Sequence, residues 1–328
     1  MHIHRVALAT AALFAAPSMA TPQSRAPLKS QFWAFAAPWD ARSDTSIRAH
    51  ATELSAVVTG WIGLDSVSGR PLLPSPYADT AVPRGARVNR MAIVTSWHGQ
   101  RFHPASIRTL ARNARELSAT AGSIARYARA MAYTGLVLDF EDLEPTDLDG
   151  QLRVVKAIAD SARQLGVRTI AIAVPATDTA AYPGRRLLAF ADAIIPMLYD
   201  QHWAGGEPGP ISSPDWVRTA LALRIAEVGP RRIIAGLPTY GYAWRKGRPT
   251  ETVGFHEAQQ QSASASVPLR RDVATGTLHA VRGDWDLWVT DAVLLRSIVR
   301  QSEFAGIRRF ALWRLGLEDP AIWRTVVR

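Results

Sequence analysis

Two carboxylates, Asp139 and Glu141, stand two residues apart at the end of the aliphatic run Gly135-Leu136-Val137-Leu138-Asp139-Phe140-Glu141. A run that opens on glycine and is apolar on both faces suits a parallel strand buried on both sides. Side chains alternate along a strand, so Asp139 and Glu141 point one way, with Cα atoms roughly 6–7 Å apart, while Leu138 and Phe140 point the other. Charge on the inner face of a buried strand is costly unless it is paired or used. Two unit charges about 6 Å apart repel by about 2.5–3 kcal/mol at an effective dielectric of about 20, near two pKa units before solvent screening. An ionised Asp139 is therefore expected to lift Glu141 toward the range where a general acid works at neutral pH. The plain alternative is that the two acids only cap the following helix.

The surrounding pattern says what holds this pair. Strand-like runs fall at 31–39, 56–62, 90–95, 168–175, 193–199, 232–238 and 309–313, with the run from Gly135 as the fourth of eight. Helical spacing fills the intervals: 43–54, 104–132 with a break expected near Gly122, 146–165 from a Thr146/Asp149 cap, 183–191, 215–228, 291–302 and 319–327. Alternating strands and helices argue a parallel sheet with right-handed crossovers, and eight such units make a TIM (β/α)8 barrel. The segment at about 242–289 reads as a small β-rich insertion between the seventh strand and its helix. A doubly wound open sheet is the alternative, but the glycine-rich phosphate loop it usually carries after an early strand is missing.

In a barrel the strand ends converge on one face. Here they carry residues that a core would reject: Asp139 and Glu141, Tyr199 and Asp200, Tyr240, and Trp313. At this point the chain resembles the family-18 glycoside hydrolases. Gly135-x-x-x-Asp139-x-Glu141 is similar to that family's fourth-strand motif, and Met197-Leu198-Tyr199-Asp200 to its Met-x-Tyr-Asp. Gly236-Leu237-Pro238-Thr239-Tyr240-Gly241 and the stretch from Gly306 through Trp313 to Pro320 resemble the spore-cortex and peptidoglycan branch. Tyr199-Asp200-Gln201-His202-Trp203 with Glu207-Pro208-Gly209-Pro210 is similar to family-18-like domains of bacterial polysaccharide synthases.

The resemblance implies a substrate-assisted, retaining mechanism. Glu141 would protonate the glycosidic oxygen and later activate water, while the sugar's own acetamido oxygen attacks the anomeric carbon. Asp139 would hold the acetamido N–H, Tyr199 would bond the acetamido oxygen, Asp200 would contact the sugar, and Trp313 would floor the subsite. Tyr240, Trp97, His202 and Trp203 complete the expected substrate contacts. The chain departs from the family at Thr134, where the family usually has Asp, and at Val137, where it has an acid or Asn that partners the middle Asp at rest. Slow or absent turnover is an expected consequence.

Composition bounds the rest. The chain has 328 residues, 48% of them hydrophobic and 20% charged, with net charge +10 carried almost wholly by scattered arginines. No basic-aromatic run of the nucleic-acid type accompanies that charge, so no nucleic-acid partner is expected. The absence of cysteine excludes disulfides and thiolate metal sites. No His-x-x-x-His pair suggests zinc, and the acids from Asp142 to Asp149 lack the EF-hand spacing, so neither metal nor cofactor is expected. Residues 1–20 read as a signal peptide, with Arg5, an apolar stretch to Ala16 and Ser18-Met19-Ala20. A flexible leader at 21–30 and the barrel at 31–328 follow. The expected protein is periplasmic or secreted, without stable membrane insertion, monomeric, and a hydrolase of β-linked N-acetylglucosamine polymers, whether peptidoglycan, exopolysaccharide or chitin-like. Two other readings stay open: a non-catalytic glycan-binding barrel, and an envelope scaffold that holds an anionic polymer.

Overall fold

A computed structural model describes residues 29–74, 81–83 and 85–327. The expected signal peptide, and the leader up to residue 28, lie outside the described residues. The barrel strands are β1 (Gln31–Phe35), β2 (Ala56–Leu64), β3 (Asn89–Thr95), β4 (Gly135–Asp139), β5 (Thr169–Pro175), β6 (Ala193–Met197), β7 (Ala235–Pro238) and β8 (Arg309–Trp313). Each pairs in parallel with its neighbours, and β1 pairs with both β8 and β2, which closes the sheet. The fold is the TIM barrel the alternation implied.

Period-two alternation sorts the strand side chains into two cores. Trp33, Met91, Ile93, Val137, Ala171 and Ile195 fill the barrel interior. Leu136, Leu138 and Phe140 face outward and pack with helix residues such as Ile124, Val154 and Ile158. Two registers fix the surroundings of the fourth strand's acids: Thr95 lies opposite Asp139, and Val137 lies between Ile93 and Ala171.

Local chemistry departs from the sequence expectation at three places. The helical stretch after β3 breaks at Asn113, not at Gly122, giving Pro104–Arg112 and Ala114–Ala130. The Asn113 side chain accepts the Glu116 N–H at 3.1 Å, an N-cap that competes with continuing the first helix. A mid-helix glycine costs only about 1 kcal/mol, which packing overrides. The helix Leu148–Gln164 is entered through a short 3-10 turn, Pro145–Asp147, capped by Glu144 and Asp147 and not by Thr146 and Asp149. Glu144 N–H donates to Asp147 Oδ2 at 3.0 Å, and Arg108 grips both Asp147 oxygens at 2.7 Å. The insertion is a five-stranded antiparallel sheet that also carries a helix, Phe255–Ser264, whose few buried residues give little apolar periodicity to read.

Gly135 starts β4 where no side chain fits. A Cβ there would lie 2.5 Å from Met91 Cε and 2.8 Å from the Thr169 carbonyl oxygen. Gly135→Ala is expected to destabilise the protein by about 1–3 kcal/mol through overpacking. A urea denaturation midpoint equal to that of the wild type would contradict this account.

Candidate active site

A cavity of about 490 Å³ opens at the C-terminal ends of the barrel strands. Its floor is apolar: Ile93, Ala173, Ile195, Gly236 and Ala311. Phe35, Trp39, Trp61, Trp97, Phe102 and Trp313 form an aromatic wall on the side of the first three strands and the last, and Asp139, Glu141, Tyr199 and Asp200 supply the polar atoms.

Asp139 ends β4 and is buried, while Glu141, two residues on, is half-buried. Both line the cavity, and the two carboxyl groups are close enough for each to shift the other's ionisation. Thr95 Oγ1 donates to Asp139 Oδ2 at 3.0 Å and accepts the Trp97 N–H, also at 3.0 Å. One step deeper on the same face Val137 is fully buried among apolar residues, so Asp139 has no polar neighbour below it. Burial pushes Asp139 up to about 6, against the opposing effects of Thr95 and Glu141. Burial pushes Glu141 well above the usual carboxyl range, and the charges of Asp139, Asp142 and Asp200 add to it. Both carboxyls are thus raised, Glu141 with the charge of Asp139 added to its burial, the order that favours a shared proton on Glu141.

Tyr199 lies two residues beyond β6. Its ring lies nearly parallel to that of Trp313, with centroids 6.4 Å apart at 14°. Burial foremost, then the nearby carboxylates, raises the Tyr199 hydroxyl well above its ordinary value, so it stays a hydrogen-bond donor. Asp200 takes a left-handed φ of 56°, a conformation Asp tolerates better than most residues. Its Oδ1 accepts from Tyr240 Oη at 2.5 Å and Tyr242 Oη at 3.0 Å. Trp313 is braced by the edge of Phe35 at 5.4 Å and by Trp61 at 6.1 Å. Its carbonyl accepts the Thr239 N–H at 2.8 Å.

The structure thus brings Asp139, Glu141, Tyr199, Asp200, Trp313 and Trp97 to one cavity. Tyr240 is buried beside it and bears on it through Asp200 and through edge contact with the Tyr199 ring, centroids 6.3 Å apart. His202 and Trp203 are not among the lining residues. Their loop folds on itself: His202 Nδ1 meets the Glu207 carbonyl at 3.0 Å, its ring covers Gly209, and Trp203, 59% exposed, lies over Gly205. Thr95, Trp39, Trp61 and Trp216 belong to the cavity surroundings and escaped the sequence reading. Trp39 and Trp61 could have been found as aromatics near the ends of the first two strands. Thr95 becomes meaningful only once its register with Asp139 is known. Among the described residues no cluster of His, Cys, Asp and Glu could hold a metal ion.

The raised Asp139 value has a consequence for stability. A carboxyl with a folded-state pKa above its unfolded one stabilises the fold below the unfolded pKa, and this contribution is lost as pH rises through the folded pKa. For Asp139 the loss runs from about pH 4 to about pH 6. Asp139→Asn is therefore expected to stabilise the protein at pH 7 by on the order of 1–3 kcal/mol, and to have little effect at pH 4. Thermal melts of both proteins across that range test this. A stability gap that does not change with pH would contradict the burial assignment.

Comparison with known proteins places this geometry. No family model matches the chain. An uncharacterized glycosylase, YvbX, of Bacillus subtilis is 20% identical over 308 residues, 88% of each chain. A cortical fragment-lytic enzyme of Bacillus cereus is 24% identical over 72% of this chain, which spans 59% of that enzyme's length. Among solved structures, a class V chitinase of Pseudomonas fluorescens superposes with a TM-score of 0.82 at 22% identity, covering 90% of this chain and 98% of that one. The spore cortex-lytic enzyme SleL of Bacillus cereus gives 0.81 at 19%, over 92% and 74%. A family-18 chitinase of Cycas revoluta gives 0.77 at 16%, over 91% and 98%. The barrel is that of the family-18 chitinases and the cortex-lytic enzymes, and in sequence the chain resembles bacterial glycosylases of the cortex-lytic kind.

Proposed function

We propose that this chain is an exported glycoside hydrolase acting on β-linked N-acetylglucosamine-containing polysaccharide, peptidoglycan, exopolysaccharide or chitin-like, with Glu141 as general acid and base. The observation that carries the reading is the pair of buried Asp139 and half-buried Glu141 above an apolar floor, with Tyr199 and Trp313 lining the same cavity. The glycosylase and cortex-lytic names of its relatives support it, as does the shared barrel of the chitinases.

In the proposed reaction a sugar ring lies on Trp313. Glu141 gives its proton to the glycosidic oxygen as the bond from that oxygen to the anomeric carbon breaks. The 2-acetamido oxygen forms a new bond to the same carbon, and ionised Asp139 stabilises the oxazolinium by accepting its N–H. Tyr199 donates to the acetamido oxygen and orients it. Water then attacks the anomeric carbon, its proton passes to Glu141, and the oxazolinium ring opens with retained configuration. The first step asks for a protonated Glu141 and an ionised Asp139, the distribution that the Thr95 hydrogen bond to Asp139 favours against burial, and the second asks for the Glu141 carboxylate that the first leaves behind. Val137 leaves Asp139 without a deeper partner, so weaker turnover than in the family at large belongs to the proposal.

Export rests on the signal-like pattern at 1–20, and no helix among the described residues is long and apolar enough to cross a membrane. The mature chain would be a leader at 21–30 and one monomeric barrel at 31–328, periplasmic or secreted.

Removing the proton donor is the direct test. Glu141→Gln is expected to lower the hydrolysis of N-acetylated oligosaccharides by about 10²–10⁴-fold, with binding retained. Equal rates for mutant and wild type would remove the enzyme reading, while binding without turnover in both would favour the glycan-binding alternative. The pH profile of kcat/KM should be a bell. Its acid limb falls below about pH 6 as Asp139 is protonated, and its basic limb falls as Glu141 loses its proton. A flat profile across both limbs would contradict the assigned roles.

A further inference from the structure

We infer that Tyr182, anchored by the buried guanidinium of Arg224, is a positioning residue that fixes the turn carrying Glu141; the inference rests on the acid–base role proposed for Glu141. The turn itself is short of internal support. Asp142, the residue after Glu141, sits at a left-handed φ of 58° and is exposed, a conformation Asp tolerates better than most residues, and its side chain adds no packing to the turn. The next residue, Leu143, is buried, and its N–H donates to the Tyr182 hydroxyl at 3.0 Å. That bond comes from 39 residues further along the chain, from the loop after β5, so it ties the turn of one barrel strand to the loop of the next.

Tyr182 is in turn held from behind. Its carbonyl accepts from Arg224 Nη1 at 3.0 Å. Arg224 is fully buried on the helix Pro214–Val228, and each of its five N–H donors has an acceptor. Nε reaches the Ala176 carbonyl at 3.2 Å, Nη1 also reaches Glu227 Oε2 at 2.9 Å, and Nη2 reaches the Pro175 and Asp178 carbonyls, both at 2.7 Å. A planar fork with five fixed donors can organise a loop in this way, and a lysine with three donors on one atom cannot. The loop wound around this cation also supplies Pro175, Ala176 and Thr177 to the cavity wall. Burying an ion pair gives no general advantage in stability over apolar packing, so the return on this one is geometric. It sets the cavity wall and the Tyr182 hydroxyl together, and the hydroxyl sets the backbone two residues from the Glu141 carboxyl.

Tyr182→Phe keeps the ring and deletes the acceptor. It is expected to lower kcat on N-acetylated oligosaccharides by about 10–10²-fold, the scale of a small misplacement, with KM within about twofold. In protein labelled at the glutamate carboxyl carbons, the NMR titration midpoint of Glu141 should fall by about one pH unit as the carboxyl gains access to water. A role confined to stability would shift the melting temperature and leave that midpoint in place. Unchanged kcat together with an unchanged midpoint overturns the inference. If the wild type hydrolyses nothing, the proposed function fails while the titration still decides the positioning. If the variant does not fold, hydrogen exchange at the Leu143 amide of the wild type decides: protection equal to that of β4 supports the restraint, and exchange at the free-peptide rate overturns it.

Discussion

A pair of acids above a dry floor is the constraint around which this barrel is arranged. Asp139 and Glu141 cannot both ionise cheaply in that place, because Asp139 is buried and the residues beneath the pair are Ile93, Val137 and Ala171. Burial raises both carboxyls, so the pair favours keeping one proton. Its position on Glu141 follows from the Thr95 hydroxyl, which bonds Asp139 alone and so favours ionisation of that partner. The Thr95 hydroxyl points the right way because its own oxygen is occupied by the Trp97 N–H, and it stands at the right height because β3 and β4 pair in register. The asymmetry of the pair is thus built from barrel geometry and one side-chain hydroxyl.

Under the proposed function the aromatic wall answers a different requirement. A sugar presents C–H faces and hydroxyl edges, and an indole face suits the first while leaving the second to polar groups. Trp313 meets that need only if it cannot rotate away. Phe35 and Trp61 brace its ring, Tyr199 lies parallel to it, and Thr239 bonds its carbonyl. Asp200 is restrained in the same manner by two tyrosine hydroxyls, so the polar edge of the cavity is as fixed as its aromatic face. Such preorganisation places groups where charge develops and limits the reorganisation left for the reaction itself.

Much of this was legible in the chain. Short apolar runs alternating with helical spacing located the eight strands, and their C-terminal ends carried Asp139, Glu141, Tyr199 and Trp313 in plain view, because a buried strand that ends in acids or polar aromatics departs from its own apolar run. What escaped has a common physical reason: it depends on contacts between segments far apart in sequence. Thr95 is one polar residue at a strand end until register sets it against Asp139. Tyr182 and Arg224 look like an ordinary core tyrosine and a helix arginine until the loop after β5 closes around the guanidinium. Asn113 beat Gly122 as a helix breaker because a side-chain cap is a positive interaction, while glycine only weakens one. His202 and Trp203 follow the Tyr-Asp motif directly, yet they pack on Gly209 and Gly205 of their own loop and do not line the cavity.

Val137 shows how a single departure inside such a site is absorbed. A polar residue at that depth would give Asp139 a second place to point, and the carboxylate could exchange partners between the floor and Glu141. With valine there, fully buried and in register with Ile93 and Ala171, the downward direction offers only desolvation. Asp139 is left with Thr95 beside it and Glu141 above it. The orientation that the proposed reaction needs from this carboxylate is then its resting orientation, and no rotation has to precede the attack of the acetamido oxygen. The same valine raises the energy of the ionised state, since no second donor shares its charge. Pre-set geometry and a less comfortable anion come from one substitution, and rate depends on which of the two the transition state feels more. In the weaker turnover proposed for this chain the second effect wins: without a deeper donor, less of the enzyme holds Asp139 ionised and ready to accept the acetamido N–H.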